Sequence, residues 1–349
     1  MGKRIGVGVL GATGMVGQQF VRELHGHPWF KLVWLGASER SAGKAYRDVA
    51  SWRLPGSIPD DIAGLTVETA TPANAPPLVF SGLDASVAGE IESAFAESGR
   101  TVISNARNHR MDDAVPLLVP EINADHLSLL SAQREATGWG GAIVTNPNCS
   151  TVVLTLGLAP LVEFGLRSVI VTTAQAVSGA GYPGVASLDV IGNVVPEVPG
   201  EEQKMETETK KIFGSLRDGR VEPHPVVVSA ATTRVPIVNG HTEMISVKFD
   251  ATPSEADVRA AFERFRGRPQ AANLPSAPPR PVVYLTAPLR PQPRLDADRD
   301  GGMTVTIGRL RPCGVLDYKF VALGHNTVRG AAGGAILNAE MMHADGLLD

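Results

Sequence analysis

The chain has 349 residues, of which 43% are hydrophobic and 19% are charged, and this balance is typical of an ordinary globular protein. A chain of this length is longer than a single hydrophobic core usually accommodates, so we expect two domains. The formal net charge of −4 and the lack of Lys/Arg-rich runs argue against nucleic acid or an anionic membrane as a partner.

The sequence also bears on the compartment. No run approaches about 18 uninterrupted apolar residues, so we expect no transmembrane span. The apolar segment near the start is interrupted by Gly6, Gly8 and Gly11, which favours a strand over a secretion signal. Two cysteines, Cys149 and Cys313, could form at most one disulfide. This low cysteine count favours a reducing compartment, and we expect the protein in the cytoplasm.

The chain begins with a strand, a glycine turn and a helix. Residues 4–10 are β-prone, residues 11–17 are glycine-rich, and residues 16–24 have helical spacing of apolar side chains. This order is typical of a dinucleotide site, where backbone N–H groups at a helix N-terminus approach a pyrophosphate. A tight turn without a ligand is the alternative. The candidate cofactor contacts in this turn are Gly11, Thr13, Gly14, Met15 and Val16.

A second parallel strand is predicted at residues 31–37, and the residues that follow it would meet the adenine ribose. Ser38, Arg40 and Ser41 are candidate contacts there. Hydroxyls and a guanidinium suit a ribose 2′-phosphate, whereas an acidic residue suits a free 2′-hydroxyl. The sequence therefore favours NADP, and Glu39 leaves NAD open.

Two more strands are predicted at residues 77–83 and 101–106, with a helix at 85–99 between them. Such alternation predicts an α/β fold with a Rossmann-type, doubly wound parallel sheet. Ser81 and Gly82 would lie at the ligand-binding end of the sheet. Arg110 could bind a phosphate or carboxylate through its planar fork, although spacing alone favours a solvated surface arginine.

The stretch 145–151 contains a polar turn with Cys149 at its end, and an apolar run over 152–158 follows. If that run is a helix capped near Asn148 or Ser150, its N-terminus favours a thiolate, and Cys149 is a candidate nucleophile. A buried structural cysteine is the alternative. We place a domain boundary after residue 150.

The second half contains longer β-prone runs, which predict an α+β domain with a largely antiparallel or mixed sheet. These runs cover residues 168–177, 226–235, 241–249, 303–310 and 316–323. Helices are predicted near 202–213 and 254–265, and the proline-rich stretch 268–280 is predicted to be a loop or edge. Residues 151–324 would form this second domain. Residues 325–349 would form a C-terminal helix that returns to the first domain, with Asn326 near the cofactor.

Two segments of the second domain carry further candidates. Gln175 ends a predicted strand and could reach a cysteine, and Ser178 and Gly179 follow where a cofactor could approach the backbone. His241 comes after an Asn-Gly turn; beside a thiol it would lower the thiol pKa and move the proton. A solvent-facing histidine is the alternative. Histidine and cysteine never fall in a metal-ligand spacing, so no metal site is predicted.

The combination of these motifs resembles aspartate-β-semialdehyde dehydrogenase, in particular its archaeal and fungal branch. The resemblance runs from about residue 4 to residue 340. It rests on residues 11–17, 104–111, 146–151, 175–181, 199–204, 234–243 and 325–331.

The resemblance implies NADPH-dependent reductive dephosphorylation of L-aspartyl-4-phosphate to aspartate-4-semialdehyde, on the route to lysine, methionine and threonine. It implies that Cys149 is the acyl-accepting nucleophile, His241 the acid/base and Gln175 the residue that orients the thioacyl group. It further implies that Arg234 and Glu201 hold the α-carboxylate and the amine of the substrate. By the same resemblance, its phosphate would be bound by Arg110, Asn148 and Lys204.

Other functions remain open at this point. N-acetyl-γ-glutamyl-phosphate reductase uses a similar cysteine, although we would expect a glycine-cysteine-tyrosine pattern around it. Malonyl-CoA reductase could share the fold and differ only in its acyl pocket. A non-enzymatic NADP(H)-binding redox sensor would not need a substrate clamp, and a cysteine hydrolase would not need the glycine turn. We expect small-molecule substrates and a homodimer or homotetramer.

Overall fold

The computed structural model describes residues 4–348. Residues 1–3 and 349, at the outer ends of the expected first and last segments, lie outside this range. Within the described range the strands form two six-stranded sheets and a small hairpin. No helix between residues 4 and 348 has both the length and the apolar character needed to cross a membrane.

The first sheet is parallel throughout, and its strands are β1 (Ile5–Leu10), β2 (Phe30–Ala37), β3 (Val67–Thr69), β4 (Leu78–Ser81), β5 (Thr101–Ser104) and β6 (Ala142–Thr145). Their order is β3-β2-β1-β4-β5-β6. The order reverses at β1, and at such a switch point ligands bind beyond the carboxyl ends of the strands. This confirms the predicted Rossmann-type sheet.

Helices and turns accompany the first sheet, and the helices are α1 (Met15–Leu24), α2 (Tyr46–Val49), α3 (Asp60–Ala63), α4 (Ala85–Glu97), α5 (Pro120–Asn123) and α6 (Leu129–Thr137). Neighbouring residues of a strand enter different hydrophobic clusters: Val79 packs in the cluster that contains Phe95 of α4, while Phe80 packs in the cluster that contains Phe20 of α1. This alternation explains why β4, β5 and β6 are buried along their whole length.

The second sheet is mixed, and its strands are β7 (Leu166–Gln175), β10 (Val227–Arg234), β11 (His241–Phe249), β12 (Val282–Leu285), β13 (Val305–Pro312) and β14 (Tyr318–Gly324). The strands β8 (Ser215–Arg217) and β9 (Arg220–Glu222) form the separate hairpin. In the order β10-β7-β11-β14-β13-β12, the two outer pairs are parallel and the inner pairs antiparallel. This confirms the predicted α+β architecture.

The helices of the second half are α7 (Cys149–Leu158), α8 (Ser187–Val190), α9 (Glu201–Ile212), α10 (Glu255–Arg264), α11 (Arg268–Ala271), α12 (Pro293–Asp296) and α13 (Gly333–Ala344). The predicted loop at 268–280 is wrong for the four residues of α11. Pro269 lies in the first turn of α11, where a missing N–H costs no intrahelical hydrogen bond.

Two helices connect the halves of the molecule. Every residue of α7 from Ser150 to Leu158 is buried, as expected for a helix that is apolar on all sides. Helix α13 follows a π-helical turn at Val328–Ala332. Its residues Ile336 and Met342 pack in the same hydrophobic cluster as Val7 and Phe20 of the first sheet layer.

Candidate active site

The candidate nucleophile is the first residue of α7. Asn148 caps this helix, because its side-chain oxygen accepts hydrogen bonds from the N–H groups of Ser150 at 3.0 Å and Thr151 at 3.3 Å. Strand β6 ends at Thr145, so the turn that follows places Cys149 at the carboxyl edge of the first sheet. The sulfur therefore lies at a helix N-terminus beside the expected cofactor crevice.

His241 lies directly beside this cysteine. Its Nε2 is 3.2 Å from Sγ of Cys149, and the histidine is fully buried at the start of β11. The backbone N–H of Ala176 donates to Nδ1 at 3.1 Å. Because Nδ1 accepts this hydrogen bond, the proton of the neutral ring lies on Nε2, which faces the sulfur.

Burial sets the protonation states of this pair. It raises the pKa of the Cys149 thiol to about 12, and the carboxylate of Glu201 acts in the same direction. It also lowers the pKa of His241 to about 3, with a further contribution from Arg234. Cys149 nevertheless retains some solvent exposure. The predicted lowering of the thiol pKa is therefore wrong for the chain without ligands, because desolvation outweighs the opposing effect of Arg234 and Arg110.

Gln175 and Arg234 meet at the ends of two parallel strands. They are register partners in the β7–β10 pair, and β11 begins at the same edge because it runs antiparallel to β7. This topology brings Gln175, Arg234 and His241 together from distant parts of the chain. Arg234 is 7% exposed, and its Nη1 donates to the carbonyl oxygen of Ala176 at 2.8 Å.

Helix α9 supplies the next two candidates. Oε2 of Glu201 accepts from Nδ2 of Asn148 at 2.7 Å, and its Oε1 accepts from Nζ of Lys204 at 2.8 Å. Glu201 and Lys204 are three residues apart and so lie on one face of the helix. Asn148, which caps α7, is thus linked directly to Glu201 and, through Glu201, to Lys204.

Arg110 is buried and not a solvated surface arginine. It is 7% exposed, and its Nη1 donates to Oε1 of Glu208 at 2.9 Å. Its Nη2 donates to the carbonyl oxygen of Asn105 at 2.7 Å. The second oxygen of Glu208 accepts from the backbone N–H of Asn148 at 2.7 Å. Arg110 therefore lies close to the turn that carries Cys149.

The glycine turn of the first domain forms the expected crevice. Gly11 has a φ of +70°, and a Cβ there would lie 2.8 Å from the carbonyl oxygen of Gly82. A Cβ at Gly17 would overlap the carbonyl oxygen of Gly11. Gly14 is the exposed N-cap of α1, and no side chain caps that helix. The N–H groups at the start of α1 are thus open to an anion, as a dinucleotide pyrophosphate requires.

The remaining cofactor candidates surround this turn. Thr13, Met15 and Val16 are half-buried beside it, and Ser38 and Arg40 are exposed just after β2, with Ser41 half-buried. Gly82 is half-buried after β4. Ser81 is different because it is fully buried, and its carbonyl oxygen accepts from the N–H of Asn105 at 3.1 Å. Its side chain therefore faces the interior and not the crevice.

Ser178, Gly179 and Asn326 close the site from the second half of the chain. Asn326 donates through Nδ2 to Oγ of Ser178 at 2.8 Å and accepts from the N–H of Gly240 at 2.9 Å. A Cβ at Gly179 would lie 2.9 Å from Nη1 of Arg234 and 3.3 Å from Nε2 of His241. The turn that carries Ser178 and Gly179 thus lies directly beside His241, which contacts Cys149.

Comparison with known proteins identifies the family. The NAD-binding domain of semialdehyde dehydrogenases matches residues 6–130, and their dimerisation domain matches residues 158–329. An aspartate-semialdehyde dehydrogenase of Archaeoglobus fulgidus is 47% identical over 97% of this chain and 98% of its own. One from Cryptococcus neoformans is 49% identical over 99% and 98%. The chain belongs to the aspartate-semialdehyde dehydrogenase family.

A solved structure supports the same assignment. The crystal structure of aspartate semialdehyde dehydrogenase with NADP from Candida albicans has a TM-score of 0.91 and 41% identity, covering 99% of this chain and 100% of that one. The expected archaeal and fungal branch is confirmed by these relatives. The expected enzyme class, an NADP-dependent dehydrogenase of the aspartate pathway, is also confirmed.

Three groups that contact the candidate residues were not predicted from the sequence: Glu208, Lys211 and the N–H of Ala176. The first two are seven and ten residues beyond Glu201 on α9, a helical spacing that could have signalled them. The backbone group carries no sequence signal. Among residues 4–348, no cluster of three or more His, Cys, Asp and Glu side chains could hold a metal ion.

Proposed function

We propose that this chain reduces L-aspartyl-4-phosphate to L-aspartate-4-semialdehyde and phosphate with NADPH, through a thioacyl intermediate on Cys149. The observation that carries this proposal is the 3.2 Å contact between Sγ of Cys149 and Nε2 of His241 at the N-terminus of α7. The family assignment supports the substrate, because the compared relatives are aspartate-semialdehyde dehydrogenases.

The substrate is held at both ends in this proposal. Arg234 binds the α-carboxylate and Glu201 the amine. Arg110, Asn148 and Lys204 bind the phosphate. The contacts of Glu201 with both Asn148 and Lys204 support a single pocket in which the acyl carbon faces the sulfur.

Acylation forms the C–S bond and breaks the bond from the acyl carbon to the phosphate oxygen. In the neutral pair, Nε2 of His241 already carries a proton because Nδ1 accepts from Ala176. The thiol proton therefore leaves with the departing phosphate, while the Nε2–H donates a hydrogen bond to the developing thiolate. Gln175 orients the resulting thioacyl group.

Reduction completes the reaction. NADPH, when bound, supplies the hydride that reduces the acyl carbon. His241 then stabilises the negative oxygen through its Nε2–H. As the C–S bond breaks, the sulfur takes up one proton from solvent, to which Cys149 is partly exposed, and the imidazole stays neutral. The aldehyde is released and the thiol is restored.

The residues after β2 favour NADP over NAD. Ser38 and Arg40 are exposed there and Ser41 is half-exposed, so a 2′-phosphate could be met by a guanidinium and two hydroxyls. Glu39 keeps NAD as a second cofactor. The open N-terminus of α1 supports the pyrophosphate through Gly11, Gly14 and the adjoining residues.

The assembly and compartment are also part of the proposal. The match to a dimerisation domain over residues 158–329 supports oligomerisation, and we propose a homodimer as the minimum, with a homotetramer as the alternative. Light scattering after gel filtration distinguishes the dimer from the tetramer.

We also propose that the chain divides into three structural units, at residues 1–150, 151–324 and 325–349. A cytoplasmic location is supported by Cys149 and Cys313, which form no disulfide.

An absorbance assay of purified protein tests the function. Aspartate semialdehyde, phosphate and NADP should together form NADPH, whereas malonyl-CoA with NADPH should leave the absorbance unchanged. Cys149→Ser should abolish turnover and retain NADPH binding, and Cys313→Ser should behave as the wild type. Phosphate-dependent turnover by Cys149→Ser would show that the mechanism is wrong, and turnover of malonyl-CoA would favour the reductase alternative.

A further inference from the structure

Helix α9 carries two charged side chains, Glu208 and Lys211, in addition to Glu201 and Lys204, which are proposed to contact the substrate. Glu208 is 2% exposed, and its two oxygens accept from Nη1 of Arg110 at 2.9 Å and from the backbone N–H of Asn148 at 2.7 Å. A single carboxylate thus joins Arg110 and Asn148, two residues that bind the phosphate in the proposed function. These two groups come from different segments of the first domain.

Lys211 lies one turn further along the same face. It is 5% exposed, and its Nζ donates to the carbonyl oxygens of Arg110 at 2.8 Å, Asp112 at 2.7 Å and Val115 at 2.9 Å. An ammonium group has three N–H donors, so these three acceptors match it. Residues 110–115 contain neither helix nor strand. The lysine therefore ties three points of this loop to α9, in addition to the turn hydrogen bonds that the loop makes itself.

The guanidinium of Arg110 is fixed by these contacts. Nη1 is held by Glu208 and Nη2 by the carbonyl oxygen of Asn105, while Nε is buried without a hydrogen-bond partner in the described residues. A fixed arginine with an unused donor binds an oxyanion with little loss of side-chain entropy.

We propose that Glu208 and Lys211 are positioning residues for the phosphate end of the substrate. Glu208 fixes Arg110 relative to the turn that carries the nucleophile, and Lys211 fixes the loop from which Arg110 projects. This inference rests on the proposed phosphate role of Arg110 and Asn148. The amino-acid end of the substrate is held in the proposed function by Arg234 and Glu201, and neither of them forms a direct hydrogen bond with Glu208 or Lys211.

The charge of Glu208 allows a positioning role to be distinguished from simple neutralisation of Arg110. If Glu208 only neutralised Arg110, its replacement by glutamine would strengthen phosphate binding, because a negative charge would be removed from the site. If Glu208 positions Arg110, phosphate binding weakens. The glutamine oxygen can accept from either Arg110 or Asn148, but its amide group faces the other donor without a hydrogen bond. The two effects therefore have opposite signs.

The experiment measures steady-state kinetics of NADPH formation, first with phosphate and then with aspartate semialdehyde as the varied substrate. For Glu208→Gln we expect the KM for phosphate to rise about 10- to 100-fold, since a displacement of about 1 Å can cost this much. The KM for aspartate semialdehyde should change less than about threefold. Lys211→Met should give the same pattern, and it provides an independent variant if Glu208→Gln folds poorly.

Matched controls lie on the same helix. Glu206→Gln makes the same charge change at a side chain that accepts from the N–H of Ala230, and Lys210→Met makes the neighbouring lysine apolar. Both should retain the wild-type KM for phosphate. A lowered or unchanged KM for phosphate in Glu208→Gln and Lys211→Met would overturn the inference, as would an equal rise in both KM values.

The variant Arg110→Ala distinguishes a failure of this inference from a failure of the proposed function. A raised KM for phosphate in Arg110→Ala with no rise in Glu208→Gln would overturn only the positioning role. An unchanged KM for phosphate in Arg110→Ala would show that Arg110 does not bind phosphate, and the inference would then fail together with that part of the proposed function.

Discussion

Gly330 packs directly against Cys149, the proposed nucleophile, and replacing this glycine by alanine should displace the sulfur. The residue lies in the π-helical turn 328–332. A Cβ at this position would lie 2.7 Å from the Cβ of Cys149 and 2.9 Å from its Cα. Favourable carbon–carbon contacts are about 3.5–4.0 Å, so one of the two segments must move by about 1 Å. Neither of the contacted atoms, Cβ and Cα of Cys149, is at the flexible end of a side chain.

The size of the effect follows from this displacement. Moving a reacting group by about 1 Å can cost about 10²-fold in rate, which corresponds to about 2.7 kcal/mol of activation free energy. We therefore expect Gly330→Ala to lower kcat/KM by about 10²-fold. The free energy of unfolding should fall by about 1–3 kcal/mol, the usual cost of overpacking. The affinity for NADPH should change little, because the expected crevice lies at the N-terminus of α1.

The assay compares kcat/KM, NADPH affinity and the urea midpoint of the variant with those of the wild type. Gly314→Ala is the matched control, because a Cβ at that glycine would meet no heavy atom within 4 Å. If Gly330→Ala kept the wild-type kcat/KM, the packing of the π-helical turn would not fix the sulfur. If Gly314→Ala lost as much activity, the effect would not be specific to the contact with Cys149.

The remaining predictions concern the same site. Asn148→Ala removes a helix cap and should lower the free energy of unfolding by about 1 kcal/mol; a wild-type urea midpoint would contradict this. In the ligand-free protein near pH 8, iodoacetamide should alkylate Cys313 faster than Cys149, because backbone N–H groups lower the pKa of Cys313 and burial raises that of Cys149. Labelling of Cys149, followed by peptide mass mapping, should increase as the pH rises toward 12, and a plateau below pH 9 would refute the assigned protonation state. Arg40→Ala should raise the KM for NADP about tenfold and that for NAD much less; an equal rise would remove Arg40 from the 2′-phosphate site. Arg234→Leu should lower kcat/KM for aspartate semialdehyde about 10- to 100-fold, through loss of a charged hydrogen bond, while fluorescence titration shows unchanged NADPH binding.

Local patterns predicted the parts of the fold that local interactions form. The glycine turn before α1 and the cap of α7 at Asn148 both depend on neighbours within a few residues, so the sequence displayed them. Helix α9 was predicted within one residue at each end. The short helix α11 was not predicted, because proline in a sequence usually indicates a break, whereas Pro269 lies in the first turn of the helix, where proline is accepted.

The charge state and partners of the site could not be predicted in this way. Arg110 has its carboxylate partner 98 residues away on α9, and no local pattern reports such a distance. The pKa of Cys149 depends on burial by many segments, so the helix N-terminus alone suggested the wrong direction. The resemblance supplied the roles of Arg110 and Lys204, and the fold explains how their elements meet.

The last helix has a consequence for how the protein is made. Helix α13 contributes Ile336 and Met342 to the core that contains Val7, and Nε2 of the buried His27 lies 2.7 Å from Oε1 of Glu340. The nucleotide-binding half therefore cannot complete its interior during synthesis until residues 333–344 have left the ribosome. A nascent chain halted before residue 333 would expose the apolar surface that α13 covers, so chaperone binding and proteolysis should both decline sharply once that final segment emerges.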